Sequence, residues 1–329
     1  MITLERRYQS SGAIGRKLIN CGVKYTAALA AALAALAPLV ANATEGGGSI
    51  YPIGVNTILA GFMPSPGDYA YLYGARYDSN HTLDGSGNDK AGINNFGAHV
   101  NALAFRYDHV WDGVTFLGAN LMTRIGVPFV DLHLHFDVKT PKGIVHKDSS
   151  DTGLSDAAII PLALGWHSPH LNQMVGIEFF LPTGDYDVHR LANVGRHYYS
   201  ISPEYFFTLK PIDKVEISAK VMYLFNTTNH ETNYSSGDEL IIDYNLGYQV
   251  TPKLQVGANG YFYKQTTNDV QNGAIVNGGN EGRVLSAGPF IKYQPTRSLA
   301  LVFKWQHEML VENRTRGDRF WLQVAYKFR

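Results

Sequence analysis

The chain has 329 residues, 45% of them hydrophobic, 12% aromatic and 17% charged, with 33 Gly, 20 Tyr and one Cys. This apolar content excludes disorder, and a mean hydropathy of −0.13 means the apolar residues are dispersed rather than gathered into the long blocks of a multi-helix membrane protein. Basic and acidic residues balance at 28 each, so the charge points to no nucleic-acid partner.

The first forty residues differ from the rest. Arg6, Arg7, Arg16, Lys17 and Lys24 precede an almost purely apolar run from Tyr25 to Val40, and Ala41-Asn42-Ala43 then has the small-x-small form of a signal-peptidase site. We read residues 1–43 as a secretory signal; the alternative is an uncleaved anchor, for which the apolar run is short. Cys21 precedes the apolar run, which argues against lipoprotein cleavage there and leaves the mature chain without cysteine. The segment removed holds five basic residues and one acid, so the remainder carries a formal charge of −4. A secreted chain without disulfides must rely on a large core or a continuous hydrogen-bonded ladder.

Residues 44–67 are rich in Gly and Pro and make no spanning strand. Their residues Ile53, Val55, Ile58, Leu59, Phe62 and Met63 supply apolar surface, and a Gly- and Pro-rich terminus of this kind suits a leader. From residue 68 to 329 the pattern changes to period two, the signature of strands. Alternating runs fall at 68–78, 94–109, 113–139, 155–167, 172–181, 197–210, 213–227, 238–250, 253–266, 283–294, 297–310 and 317–329, which predicts an all-β chain of about twelve strands. Tight turns are expected at His109–Gly113, Ser168–His170, Pro211-Ile212, Thr251-Pro252 and Gln294–Thr296. Long polar segments lie between them, at Ser79–Gly92, Thr140–Gly153, Pro182–Arg196, Thr228–Gly237 and Thr267–Gly282, with a shorter one near Glu312–Gly317. Short turns at one end and long loops at the other, over an even number of antiparallel strands, describe a bacterial outer-membrane β-barrel. A soluble β-barrel that binds a ligand is the competing architecture.

The barrel reading assigns faces. Val215/Ile217/Val221, Leu240/Ile242/Leu246 and Leu301/Phe303/Trp305 are expected to meet lipid, and Glu204, Glu216, Lys220, Asp243, Lys304 and Glu308 the lumen. Further pore-lining candidates are Arg106, Arg124, Glu178, Lys292, Phe206, Met222, Phe290 and Tyr263; their mixed signs predict no strong ionic selectivity. Tyr69/Tyr71/Tyr73, Tyr261/Tyr263 and Tyr326/Phe328 are expected to form interfacial aromatic girdles. Asp131, His133, His135 and Asp137 share one strand face, but residues in a line nearly 7 Å apart do not converge on a metal, so none is expected. Asp84–Asp89 and Gly184–Asp187 look like calcium loops but lack the acidic twelfth ligand. Ser168 beside His167 carries no nucleophile signature, and neither an enzymatic activity nor a cofactor is proposed.

The last strand, Phe320 to Arg329, resembles the aromatic closing signal read by the barrel-assembly machinery, with the aromatic Phe328 penultimate instead of last. Glu45–Ser49, Tyr51-Pro52 before Leu59–Phe62, Gly153–Asp156, Pro161-Leu162 with Leu164–His167, and Leu181–Tyr186 together resemble the phenol meta-pathway outer-membrane family over residues 44–329. That resemblance implies a passive outer-membrane channel for small hydrophobic or aromatic solutes, with outer-membrane lipid and the assembly machinery as partners. A monomer and a homotrimer both stay open. Because the family is grouped with exporters of functional amyloid subunits, a polypeptide-secretion pore is the second function implied. The N-terminal plug of those exporters implies that residues 44–67, with Ile53, Val55, Ile58, Leu59, Phe62 and Met63, form a lumen plug as the alternative to a leader.

Overall fold

The computed structural model describes residues 48–328; the expected secretory signal lies outside the described residues. Seventeen strands follow in chain order: β1 (Gly67–Thr82), β2 (Ile93–Phe116), β3 (Ala119–Thr140), β4 (Gly143–Leu154), β5 (Ala157–His167), β6 (Leu171–Leu181), β7 (Ser200–Ile212), β8 (Val215–Asn226), β9 (Thr228–Asn229), β10 (Tyr234–Ser235), β11 (Glu239–Thr251), β12 (Leu254–Gln265), β13 (Val270–Gln271), β14 (Ala274–Ile275), β15 (Arg283–Tyr293), β16 (Leu299–Glu312) and β17 (Thr315–Lys327). Among them twelve close into one antiparallel barrel: β1, β2, β3, β5, β6, β7, β8, β11, β12, β15, β16 and β17. β1 seals the ring, pairing with β2 on one side (Leu72 opposite Phe105) and with β17 on the other (Leu72 opposite Val324). Closure leaves no free edge in the ring, so every ladder group has a partner without water.

Period two has a clear cause in β8. Glu216, Ser218, Lys220, Met222 and Leu224 point inward and are buried, while Ile217 and Phe225 point outward and are exposed. Apolar residues such as Leu103, Phe105, Ile177, Leu246, Phe303 and Leu322 coat the outside. A water-soluble protein of this size would not expose such a belt, whereas hydrocarbon accepts it. The closing strand follows the same rule, with Phe320, Leu322 and Tyr326 outside and Trp321 inside.

Four expectations need correction. The β2–β3 turn lies at Leu117-Gly118, not at His109–Gly113: these two residues take φ of 50° and 73°, the positive values a two-residue hairpin turn requires. Gly113, at φ 67°, is instead the bulge where the pairing slips between Val110 and Thr115. The expected loop Thr140–Gly153 is mostly the strand β4, which pairs with the upper half of β3 on the edge away from β2. Most of β4 is exposed, so no apolar alternation marks it. The turns expected at Pro211-Ile212 and Thr251-Pro252 sit one or two residues later, at 213–214 and 252–253. Finally, Tyr69, Tyr73, Tyr261 and Tyr263 are buried in the interior rather than set in a girdle, because each hydroxyl-bearing ring belongs to the inward parity of its strand. Tyr326 and Phe328 do stay outside.

Candidate functional site in the barrel interior

Residues 48–66 contain no strand, so their backbone N–H and C=O groups need partners from elsewhere. The inward polar side chains of the wall supply them. The Asp243 carboxylate on β11 accepts three hydrogen bonds, from the Tyr51 hydroxyl at 2.7 Å, the Gly54 N–H at 2.8 Å and the Asn56 N–H at 3.0 Å. On β16 the Lys304 ammonium donates to the carbonyls of Gly54 at 2.6 Å and Val55 at 2.9 Å, and to the Thr57 hydroxyl at 3.2 Å. Gln306 donates to the Gly54 carbonyl, Gln323 to that of Val55 and Arg319 to that of Ile53. Glu216 on β8 accepts from the Leu59 N–H at 2.7 Å, and Thr208 on β7 from the Gly61 N–H at 3.0 Å.

Two glycines make this seating possible. A Cβ at Gly61 would lie 2.4 Å from the Phe207 Cα and 2.7 Å from the Asn172 carbonyl oxygen, both backbone atoms of the wall. Gly54 has φ of 86° and would place a Cβ against Gln306 and Tyr261. Apolar contacts complete the fit. Tyr51 and Ile53 join Met222, Ile241, Tyr261 and Tyr263 in one buried cluster, and Met63 joins Met122, Ile160, Met174 and Phe206 in another.

Two further groups of charges are paired across strands. Lys220 lies 2.9 Å from Glu204 and 3.2 Å from Glu178, with its ammonium 4.1 Å from the centre of the Tyr51 ring. Arg124 makes a two-pronged contact with Asp108 at 2.9 and 3.0 Å, and Arg106 reaches the same carboxylate at 3.1 Å. Arg106 also donates to Asn56 at 2.9 Å, so this cluster too is tied to the N-terminal segment. Two oppositely charged partners and several donors are what make ionised groups tolerable at such depth.

Of the pore-lining candidates, Arg124, Glu178, Glu204, Phe206, Lys220, Met222, Asp243, Tyr263, Phe290 and Lys304 are buried inside, and Arg106 and Lys292 are half-buried. Asp243, Lys304 and Arg106 meet around Gly54–Thr57, while Glu178, Glu204 and Lys220 form a separate group. Lys292 belongs to neither and lines the short-turn end. Of the plug candidates, Ile53 and Met63 are buried, Val55, Ile58 and Leu59 are partly so, and Phe62 is exposed. Sequence reading missed Thr208, Gln306, Arg319 and Gln323. Their inward parity was visible, but nothing in the sequence announces a side chain whose partner is backbone.

At the long-loop end, Asp156 accepts from the Gly184 N–H at 2.9 Å and the Arg196 N–H at 2.7 Å. The Ser155 hydroxyl donates to the Val194 carbonyl at 2.5 Å, and a Cβ on Gly184 would strike the Gly195 Cα at 2.7 Å. The segments Gly153–Asp156 and Leu181–Tyr186 thus work as one device: they fold the β6–β7 loop back over the β4–β5 junction. Burial pushes the Asp156 carboxyl above the ordinary aspartate range, against the lowering effect of the two N–H donors. At the short-turn end a cavity of about 320 Å³ lies beneath Leu59 and Phe62. Among the described residues no group of three His, Cys, Asp or Glu is placed to hold a metal ion.

A family model described as "Putative MetA-pathway of phenol degradation" matches residues 79–324. No curated protein matches the sequence. Among solved structures, an outer membrane channel from Pseudomonas putida is similar at a TM-score of 0.68 and 12% identity, over 81% of this chain and 97% of that one. A FadL homologue from Pseudomonas aeruginosa gives 0.44 at 9% identity, over 88% and 99%, and the KdgM porin 0.39 at 9%, over 79% and 99%. The first of these likenesses shows the fold, that of bacterial outer-membrane barrels.

Proposed function

Because the chain belongs to the family described by the MetA pathway of phenol degradation, we propose that it is an outer-membrane channel for passive passage of small hydrophobic or aromatic compounds, with residues 48–66 as a plug in its lumen. One observation carries the reading: a cylinder apolar outside and polar inside holds a separate, strandless segment by side chain-to-backbone bonds. A segment held that way can leave without breaking the wall, since no barrel ladder runs through it. Hydrogen bonds to ionised groups contribute about 1.5–3 kcal/mol each, so several together keep the plug seated at rest. Tyr51, Ile53 and Met63 leave apolar surface on the wall when they withdraw, and Phe206, Met222 and Tyr263 then offer an aromatic solute a foothold. The packed interior favours small solutes over an unfolded polypeptide.

Liposome swelling tests the proposal. Proteoliposomes with a variant lacking residues 48–66 are expected to admit an aryl glucoside faster than a disaccharide of similar mass. Equal rates contradict the preference for aromatic solutes, and the absence of flux for every solute contradicts transport.

A further inference from the structure

The interior charges described above are held by opposite charges or by the N-terminal segment; the lysines at the short-turn mouth have no opposite charge in contact among the described residues. The cavity there is walled by Lys210 of β7, Lys214 of the β7–β8 turn, Lys253 of the β11–β12 turn and Lys292 of β15, with Leu59 and Phe62 of the N-terminal segment as its apolar roof. Among the described residues none of these four lysines takes part in an ion pair, whereas Lys220, Arg106 and Arg124 do, and Lys304 is satisfied by two carbonyls and a hydroxyl of the N-terminal segment. Two carboxylates also face the cavity. The Glu216 oxygens are already occupied, accepting from the Leu59 N–H at 2.7 Å, the Ser218 hydroxyl at 2.9 Å and the Gln255 amide at 2.8 Å. Asp213 stands exposed at the β7–β8 turn.

Parity shows that two of the lysines are built into the lumen wall and do not merely decorate the rim. Lys292 stands opposite Gln255, which is buried inside, and Lys210 lies two residues after the buried Thr208, on the same face of β7. Both are partly withdrawn from water, where like charges gathered round one concavity repel and raise the local concentration of anions. The exposed Phe62 ring sits above them.

We propose that this mouth is a binding site for an aromatic carboxylate, the carboxylate held by Lys210 and Lys292 and the ring laid against Leu59 and Phe62. The inference deepens the channel reading: it makes the solute an anion rather than a neutral phenol, and it places the first or last stop of the passage directly against the plug. A ligand packed on Leu59 and Phe62 touches the segment next to its bond with Glu216, so occupancy of the mouth is coupled to the seating of the plug.

Calorimetric titration of the full chain in detergent decides it, with benzoate, the neutral isostere benzamide and the ring-free anion acetate as probes. Benzoate is expected to bind roughly tenfold or more tightly than either, the ratio that one charge-assisted contact or one buried ring supplies. A double variant Lys210→Gln/Lys292→Gln is expected to lose benzoate, while Lys139→Gln, in the distant β3–β4 ribbon, keeps it. Each variant is checked for the heat-modifiable gel migration of a folded barrel. Equal affinity for benzamide, or benzoate binding retained in a folded double variant, overturns the proposal. Benzoate binding without solute flux in proteoliposomes leaves this site standing and overturns the channel reading; flux of neutral solutes without benzoate binding does the reverse.

Discussion

Asp243 takes three hydrogen bonds from six consecutive residues of one segment, matched by the three that Lys304 gives to Gly54, Val55 and Thr57. Removing the carboxylate strands the Gly54 and Asn56 N–H groups, at a cost of about 3 kcal/mol to the seated state. Asp243→Ala is therefore expected to raise the open probability in planar bilayers by about a hundredfold at unchanged unitary conductance. An unchanged open probability removes Asp243 from the latch. Gly61 gives the complementary test. Gly61→Ala places a methyl group on wall backbone that has no room to move, so it is expected to open the channel as well, whereas a plug that does not touch β7 would ignore it. Asp156 sets a pH dependence at the opposite end. Its carboxyl is raised mainly by burial, so the folded loop holds the proton more tightly than the unfolded chain does. Its contribution to loop docking is greatest below the unfolded value, near about 4, and falls as pH rises through the folded value. A spin label at Val188 is expected to be less mobile at low pH than at neutral pH in the parent chain, and to show no such difference in Asp156→Ala.

At the level of elements, β3 serves two neighbours in turn along one edge, Asn120–Gly126 pairing with β5 and Phe129–Thr140 with β4, while β2 lines its other edge up to Val138. The β3–β4 ribbon, flanked by the first residues of β2, thus extends the sheet past β5, which stops pairing at Gly126. Replacing residues 134–149 by Asn-Gly is expected to leave the heat-modifiable migration intact and to shift the melting midpoint by less than about 5 °C. Loss of the folded band would place the ribbon inside the cooperative unit. The same elements show what the sequence made legible. Strands with one face in lipid announce themselves, as Val215–Asn226 does, because hydrocarbon selects apolar residues at every second place. The ribbon stayed hidden because water bathes most of it, and the true β2–β3 turn because Gly113 offers as good a turn signal as Gly118. Inward tyrosines such as Tyr261 were misplaced as a girdle, since a ring with a hydroxyl suits an interface and a polar interior equally well. The plug contacts were beyond reach for a different reason: their donors and acceptors are the backbone of Gly54, Val55, Leu59 and Gly61, and backbone carries no sequence signature.

For the whole molecule, we propose a division of labour between the wall and residues 48–66 as its plug. The wall holds itself together by a closed ladder in which residues 48–66 take no part. The plug has no ladder and depends on the wall. The relation is one-sided, and single-channel recording in planar bilayers tests it most directly by comparing the full chain with a variant lacking residues 48–66. A closed or rarely open parent is expected, and a stably open, folded variant of larger conductance. Identical traces from two folded proteins would contradict it.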